Sequence, residues 1–429
     1  MTVQGSGAFS NLKRPLSKQR ILVLGTNYYP EPIGIPRYTT EMAEDMADKG
    51  YQVTVVAAAP LYPTWKRSPG YRYGWYSRER RNGVTVWRVP TYVPRNLGFK
   101  QRTIYELGFL FFSLPIVIAH LLAGKDAMVV TTPPLAICLQ LLLPTGRARK
   151  VVIVKDLQVD IADNMGIIRN RAVLGFLYRI ERLLFNRAHL ITAVSRGMLQ
   201  KIAAKGLGRP RLSFFPDWVD TARLDRADKE ATARMRRKLG LPEEKIVVGY
   251  SGNLARKQGI ELLVEMAERF KHRGDVHFLI CGDGPAKLGL TEMVEKLGLE
   301  NVTLAPLQPE SELSALLSAI DVHVVTQRDE VSDLVMPGKM FNIMSCGGAQ
   351  VITAPDGSAI DGVMTQSGAG IRVRREDKDG LAAAILKLCD AADLRRDMGL
   401  KGRNYILAHM AKRDILDRFY ADIFPGTTT

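Results

Sequence analysis

Ile246-Val-Val-Gly-Tyr-Ser-Gly-Asn-Leu-Ala-Arg-Lys-Gln-Gly259 decides the reading of the fold. Its first five residues are an apolar, strand-like run, a helix-like amphipathic stretch follows Gly259, and the turn between them holds glycine, amide and cationic residues. The same order recurs at Asp333-Leu-Val-Met-Pro-Gly-Lys-Met-Phe-Asn-Ile-Met-Ser-Cys-Gly347, which follows a strand-like run at 322–325. Where a strand end feeds a helix start, unpaired N–H groups and the helix dipole favour an anion. Both segments therefore read as phosphate loops, and the second half of the chain is expected to hold a nucleoside diphosphate.

Outward from these loops the same alternation fills the chain. A charged helix at 229–238 precedes strands at 246–250, 276–281, 302–304, 322–325 and 351–353, with helices between them. The first half has strands at 21–25, 52–57, 84–89, 127–131, 151–154 and 190–193, and a helix at 39–49 that Gly50 ends. Alternating strands and helices mean an α/β fold with mostly parallel, doubly wound sheets. A chain of 429 residues is long for one core and natural for two domains. The pattern restarts after Phe215-Pro-Asp-Trp-Val-Asp220, which places the boundary near residue 217.

The formal net charge of +16 calls for a polyanionic partner: a nucleic acid, an anionic membrane or diphosphate ligands. No zinc-finger or aromatic-basic nucleic-acid motif accompanies the charge, which argues against nucleic acid. The four cysteines stand far apart in apolar or small-residue surroundings, so they read as reduced core thiols and not as zinc ligands. Residues 1–20 form a basic arm without the apolar core of a signal peptide. The apolar stretch 104–123 approaches spanning length, but Glu106, Pro115 and His120 interrupt it, and a buried or interfacial helix is the expectation.

Tyr28-Tyr-Pro-Glu-Pro-Ile-Gly-Ile-Pro-Arg-Tyr38, Tyr62-Pro-Thr-Trp65, Val154-Lys-Asp-Leu157, Pro216-Asp-Trp-Val-Asp220, Cys281-Gly-Asp-Gly284, Pro306-Leu-Gln-Pro309 and the two phosphate loops follow one another in an order that identifies a resemblance. The chain resembles the retaining glycosyltransferases of family 4, whose fold is GT-B, two Rossmann-like doubly wound domains facing a cleft. Within them it is similar to the bacterial exopolysaccharide subgroup typified by the colanic acid fucosyltransferase. The resemblance implies an acceptor-binding domain at 21–217, a nucleotide-sugar-binding domain at 218–405 and a C-terminal helix at 406–429 returning to the first domain. It implies a nucleoside diphosphate sugar as donor, with GDP-fucose among those favoured, and a lipid-diphosphate-linked saccharide as acceptor. It also implies a cytoplasmic enzyme, peripheral on the inner face of the plasma membrane.

The candidate site residues combine loop chemistry with that resemblance. Lys257 and Arg256 are expected on the donor diphosphate beside Gly252 and Asn253, because paired cations neutralise a departing phosphate without moving a proton. Lys339, near a helix start, is a second phosphate cation, Asn342 a partner for ribose hydroxyls and Asp333 an acceptor for sugar hydroxyls. Leu334 and Asn342 stand where the broader family carries two glutamates. Gly34 in the first loop and Gly282 in the third offer close backbone approach, and Leu307 is expected to flank the base. Arg37 is read as an anion contact or a solvated cation. Asp156 follows Lys155 where the family often has histidine, so imidazole base chemistry is excluded there and Asp156 is expected to position hydroxyls. Catalysis is thus assigned to Asp156, Lys257 and Lys339, with no metal and no cofactor; Asp377-Lys-Asp379 reads as a helix cap. Basic and aromatic residues across 65–81 and 95–102 are expected to meet an anionic bilayer. Two alternatives remain at this stage: a sugar-nucleotide epimerase sharing the architecture, which would need no acceptor, and a basic nucleic-acid-binding protein.

Overall fold

A computed structural model describes residues 19–31, 34–62, 65–94, 98–164, 166–255, 258–326 and 337–425. The apolar runs become parallel strands buried on both faces, as helices on both sides of a sheet require. In the first domain β1 (Arg20–Leu24), β2 (Gln52–Ala58), β3 (Ser77–Arg81), β4 (Val84–Val89), β5 (Ala127–Thr132), β6 (Arg149–Val154), β7 (Leu190–Ala193) and β8 (Arg211–Phe214) form one sheet in the order β3-β4-β2-β1-β5-β6-β7-β8. Only β3 runs antiparallel to its neighbour. The helices of this half are α1 (Ile35–Asp48), α2 (Phe99–Leu122), α3 (Gln158–Asn164), α4 (Arg171–Phe185) and α5 (Arg196–Ala204).

The second domain opens with α6 (Lys229–Lys238). Its sheet contains β9 (Ile246–Asn253), β10 (Val276–Asp283), β11 (Val302–Ala305), β12 (Val322–Val325), β13 (Ala349–Thr353) and β14 (Gly370–Val373), ordered β11-β10-β9-β12-β13-β14 and parallel throughout. Around it lie α7 (Glu261–Arg269), α8 (Lys287–Lys296), α9 (Leu313–Ser318), α10 (Gly338–Ser345), α11 (Ala359–Ser367), α12 (Lys378–Asp390) and α13 (Ala392–His409). The last helix, α14 (Lys412–Ile423), crosses back. Ile415, Leu416, Phe419, Tyr420 and Ile423 join the core of the first sheet with Ile21, Val23, Val53 and Val55. Phe419 stacks on Phe215 with ring centroids 4.1 Å apart, and the Tyr420 hydroxyl donates to Asp45 at 2.8 Å.

Several boundaries depart from the sequence reading. α1 starts at Ile35, four residues before the expected helix, with Pro36 in its first turn, where a missing N–H costs nothing. β9 and β10 continue past Tyr250 and Cys281 because Gly252 pairs with Gly282 and Asn253 with Asp283. A Cβ on Gly282 would stand 1.9 Å from the Gly252 carbonyl oxygen, so these glycines extend the ladder where the sequence reading ended it. The cation-rich segment 77–81 forms edge strand β3, and charge on an edge strand blocks pairing with a further chain. Arg81 in it donates to Glu44 at 2.9 Å and lies over the Tyr29 ring.

The apolar stretch forms one long helix, α2. Tyr105, Phe109, Ser113, Val117 and Leu121, spaced every fourth residue, are buried toward the sheet, while Ile104, Leu107, Phe111, Ile118 and Leu122 are exposed. The helix is long and apolar enough to cross a membrane, yet one stripe of it is part of the first domain's core. All four cysteines are buried and free.

Candidate functional site

Ligands of open α/β sheets gather where neighbouring strands lead their connections in opposite directions. In the first sheet that point lies between β1 and β5, and a cavity of about 450 Å³ opens there. Thr26 and Asn27 after β1, Pro133 and Pro134 after β5, and the half-buried Asp156 after β6 line it, with the start of α1 and Arg102, Tyr105 and Glu106 of α2. Glu31, almost wholly buried, ties the rim together: it accepts from the N–H groups of Leu61 and Tyr62 at 2.8 and 2.7 Å and from the Asn27 amide at 2.9 Å. Burial pushes its carboxyl up, and those three donors pull against the rise. Gly34 lines the cavity with φ +73°, and a Cβ there would meet nothing within 4 Å. Its glycine is required by the left-handed turn, not by crowding.

Lys155 and Asp156, which follow β6, face different surroundings. The Lys155 ammonium is 7% exposed, bonded to Asp217 and enclosed by the rings of Tyr38, Phe215 and Trp218 at 4.7, 5.6 and 5.8 Å. It ties the segment 215–218 to the end of β6, while Asp156 alone of the pair reaches the cavity.

In the second sheet the corresponding point lies between β9 and β12. Lys339, in the first turn of α10, donates to the Tyr250 hydroxyl and to Gln258 Oε1, the latter at 3.1 Å. A Cβ on Gly252 would stand 3.5 Å from its Nζ. The Tyr250 hydroxyl in turn donates to the Asn253 carbonyl at 2.8 Å, and burial raises its pKa far above the ordinary tyrosine range, so it stays neutral. The N-cap residue of α10, Pro337, makes no side-chain capping hydrogen bond. A lysine and a helix N-terminus thus meet at the end of a glycine-bearing strand, which suits a phosphate. Asn342, three residues on, shares that helix face with Lys339.

The two halves touch beside these features. A Cβ on Gly338, at the start of α10, would lie 3.7 Å from the Tyr38 hydroxyl of α1. Tyr38 follows Gly34, Ile35 and Pro36 of the cavity wall by two to four residues, so the first turn of α1 borders the cavity and meets the start of α10. Arg37 is neither solvated nor waiting for an anion: it pairs with Glu41 at 2.8 Å and reaches Glu310 of the second domain at 3.7 Å. Glu310 also holds Arg223 at 3.0 Å.

Among the residues expected from sequence, Gly34 and Asp156 share the first cavity, and Gly252, Asn253 and Lys339 meet around Tyr250. Gly282 is accounted for by its contact with Gly252, so its small size serves strand packing. Leu307 is exposed on the connection after edge strand β11. Arg256, Lys257 and Asp333 lie outside the described residues. Sequence reasoning missed the anchoring of Lys339 by Tyr250 and Gln258, the buried Glu31, and the Arg102 and Glu106 pair. Only the strand-end position of Tyr250 signalled the first of these. Asp377 caps α12 by accepting from Gly380 N at 2.7 Å, and Asp379 pairs with Arg269. Among the described residues no group of three His, Cys, Asp or Glu side chains is placed to hold a metal ion.

Residues 34–218 match the glycosyl transferase 4-like domain and residues 231–405 the glycosyl transferases group 1. WcaI of Escherichia coli (strain K12), named as a colanic acid biosynthesis glycosyl transferase, is 32% identical over 410 residues, covering 94% of this chain and 99% of its own. The GDP-mannose-dependent alpha-(1-6)-phosphatidylinositol monomannoside mannosyltransferase of Mycolicibacterium smegmatis (strain ATCC 700084 / mc(2)155) is 27% identical over 396 residues, covering 90% and 94%. The crystal structure of Anabaena Alr3699/HepE in complex with UDP and glucose has the same fold, with a TM-score of 0.69 at 14% identity over 94% of this chain and 99% of that one. The paired parallel sheets and the matches over both halves agree: this chain is a glycosyltransferase of the GT-B fold and belongs to the group 1 glycosyltransferases, with a glycosyl transferase 4-like first domain.

Proposed function

We propose that the enzyme transfers a sugar, with retention, from a nucleoside diphosphate donor to a lipid-diphosphate-linked saccharide in exopolysaccharide biosynthesis. The observation that carries this reading is Lys339 in the first turn of α10, next to Gly252 and on the helix whose start meets Tyr38 of the first domain. The donor diphosphate lies against Lys339 and the α10 N–H groups, with Arg256 and Lys257 assigned to it by their place in the sequence. Asn342 meets the ribose, Leu307 flanks the base, and Asp333 and Asp156 accept from sugar and acceptor hydroxyls. The bond from the anomeric carbon to the phosphate oxygen breaks as the bond to the acceptor oxygen forms on the same face, and the acceptor proton passes to the departing phosphate oxygen. The cations stabilise the charge on that leaving group.

The relatives named for colanic acid and for a phosphatidylinositol mannoside support a saccharide acceptor carried on lipid, and the exposed apolar stripe of α2 supports work at a membrane. The site is then on the cytoplasmic side, peripheral to the inner face of the plasma membrane, with anionic lipid as the surface partner. The test incubates the enzyme with a panel of UDP- and GDP-sugars, GDP-fucose first, and a polyprenyl-diphosphate-linked saccharide, and reads product mass and anomeric configuration by NMR. A product of inverted configuration ends the retaining mechanism, and a donor altered without any acceptor points instead to epimerisation.

A further inference from the structure

The first domain contains a second cavity, of about 400 Å³, that continues from the first: Arg102, Glu106, Pro133 and Asp156 border both. Past that junction the lining turns apolar, with Leu135, Val159, Ile161, Ala162, Ile168 and Leu177 contributed by the segment after β5, by α3 and by the approach to and body of α4. The volume lies within the range of about 300–1,000 Å³ typical of small-molecule sites. Two polar groups of the wall are engaged within it: Gln158 Oε1 accepts from Leu135 N at 2.6 Å, and Glu106 accepts from Arg102 Nε at 3.1 Å. The lining extends to Ile167, which is 59% exposed.

We propose that this groove holds the hydrocarbon chain of the acceptor, with the acceptor's phosphate at Arg102 and its saccharide beside Asp156. The inference rests on the reading that the acceptor is lipid-linked. Three observations select this occupant. The groove is continuous with the cavity where transfer would take place, so one molecule can fill both. The junction carries a cation, Arg102, whose terminal nitrogens offer donors beyond the one given to Glu106. The apolar lining runs on to the exposed Ile167, so a hydrocarbon chain can leave the groove over an apolar side chain.

Equilibrium dialysis of radiolabelled farnesyl diphosphate with the full chain, below the micellar concentration, tests the proposal. Binding is expected to be saturable and poorly displaced by inorganic diphosphate. It should strengthen more than tenfold from geranyl to farnesyl diphosphate, since each buried methylene is worth about fourfold. Ala162→Trp, which fills the groove, and Leu177→Asp should each weaken binding at least tenfold, while a melting shift with UDP or GDP shows that the variants are folded. Equal affinity for geranyl, farnesyl and inorganic diphosphate, or farnesyl diphosphate binding that Ala162→Trp leaves unchanged, overturns the groove. The two readings fail separately. Sugar transfer confined to water-soluble acceptors refutes the lipid-linked acceptor and with it this occupant, whereas transfer to a lipid-linked acceptor that Ala162→Trp does not impair refutes the groove alone.

Discussion

The ammonium of Lys339 lies 4.0 Å from the centroid of the Tyr250 ring and donates to that ring's hydroxyl, although 89 residues separate them in the chain. The pair joins the start of α10 to the end of β9, so the cation's position follows from two elements and not from one flexible side chain. Lys339→Ala is expected to weaken UDP or GDP binding by about 10- to 100-fold, the worth of a charge-assisted hydrogen bond. Tyr250→Phe should cost less, within about tenfold, because the charge remains and only its anchor is lost. Calorimetric titration of both variants decides; unchanged affinity in Lys339→Ala removes the proposed phosphate contact.

His323 in β12 is buried, and that burial pushes its imidazole down to about 4. Between pH 6.5 and pH 4 the unfolded chain therefore binds a proton that the folded chain refuses, so stability is full above pH 6.5 and falls as the pH drops. The loss amounts to about 3 kcal/mol by pH 4. Chemical denaturation followed across that window should show the slope in the wild type and a flatter one in His323→Gln. An identical slope in both assigns the acid sensitivity elsewhere.

Glu310 is the carboxylate that Arg37 of the first domain and Arg223 of the connecting segment both approach. These are partly exposed pairs, so Glu310→Gln should change overall stability by no more than about 1 kcal/mol. Its effect should fall on the relation between the domains: small-angle scattering of the variant is expected to show a larger radius of gyration, with donor KM raised severalfold. A variant of unaltered radius and KM would make the bridge incidental.

The exposed stripe of α2 and the cations of β3 lead to a vesicle experiment. The protein should sediment with phosphatidylglycerol vesicles at low salt, release as salt rises, and fail to bind neutral vesicles. Arg78 and Arg80 point outward on β3 and Phe111 is 67% exposed, whereas Arg81 is occupied by Glu44. Phe111→Asp and the double change Arg78→Glu with Arg80→Glu should therefore lower binding several-fold, and Arg81→Gln much less. Protein that stays in the supernatant with anionic vesicles at low salt refutes the docking surface.

How far the chain could be read before its fold was known depended on the range of each interaction. Two domains and their parallel strands were legible because runs such as 21–24 and 127–130 are apolar without alternation, a local signal of burial on both faces. Strand β3 was hidden because its five residues include four charged ones, and edge strands lack the apolar signature. The ends of β9 and β10 were missed because glycine at a strand end reads as a turn, while here a side chain on Gly282 would run into the Gly252 carbonyl. In the site, Lys339 and Gly252 were recognisable from their loops, but the ring under Lys339, the cage around Lys155 and the Arg37–Glu310 pair come from segments distant in sequence. No local pattern encodes such meetings.

The return of α14 to the first domain has a consequence for how the protein is made. Phe419 packs on Phe215, about 200 residues upstream, so at about 5–20 residues per second the first domain waits roughly 10–40 s on the ribosome for the helix that seals its core. During that interval the apolar surface around Phe215, Ile21 and Val53 lacks the part of its cover that α14 supplies. Nascent chains stalled before residue 412 should therefore engage chaperones through the first domain, even though every one of its strands has already emerged.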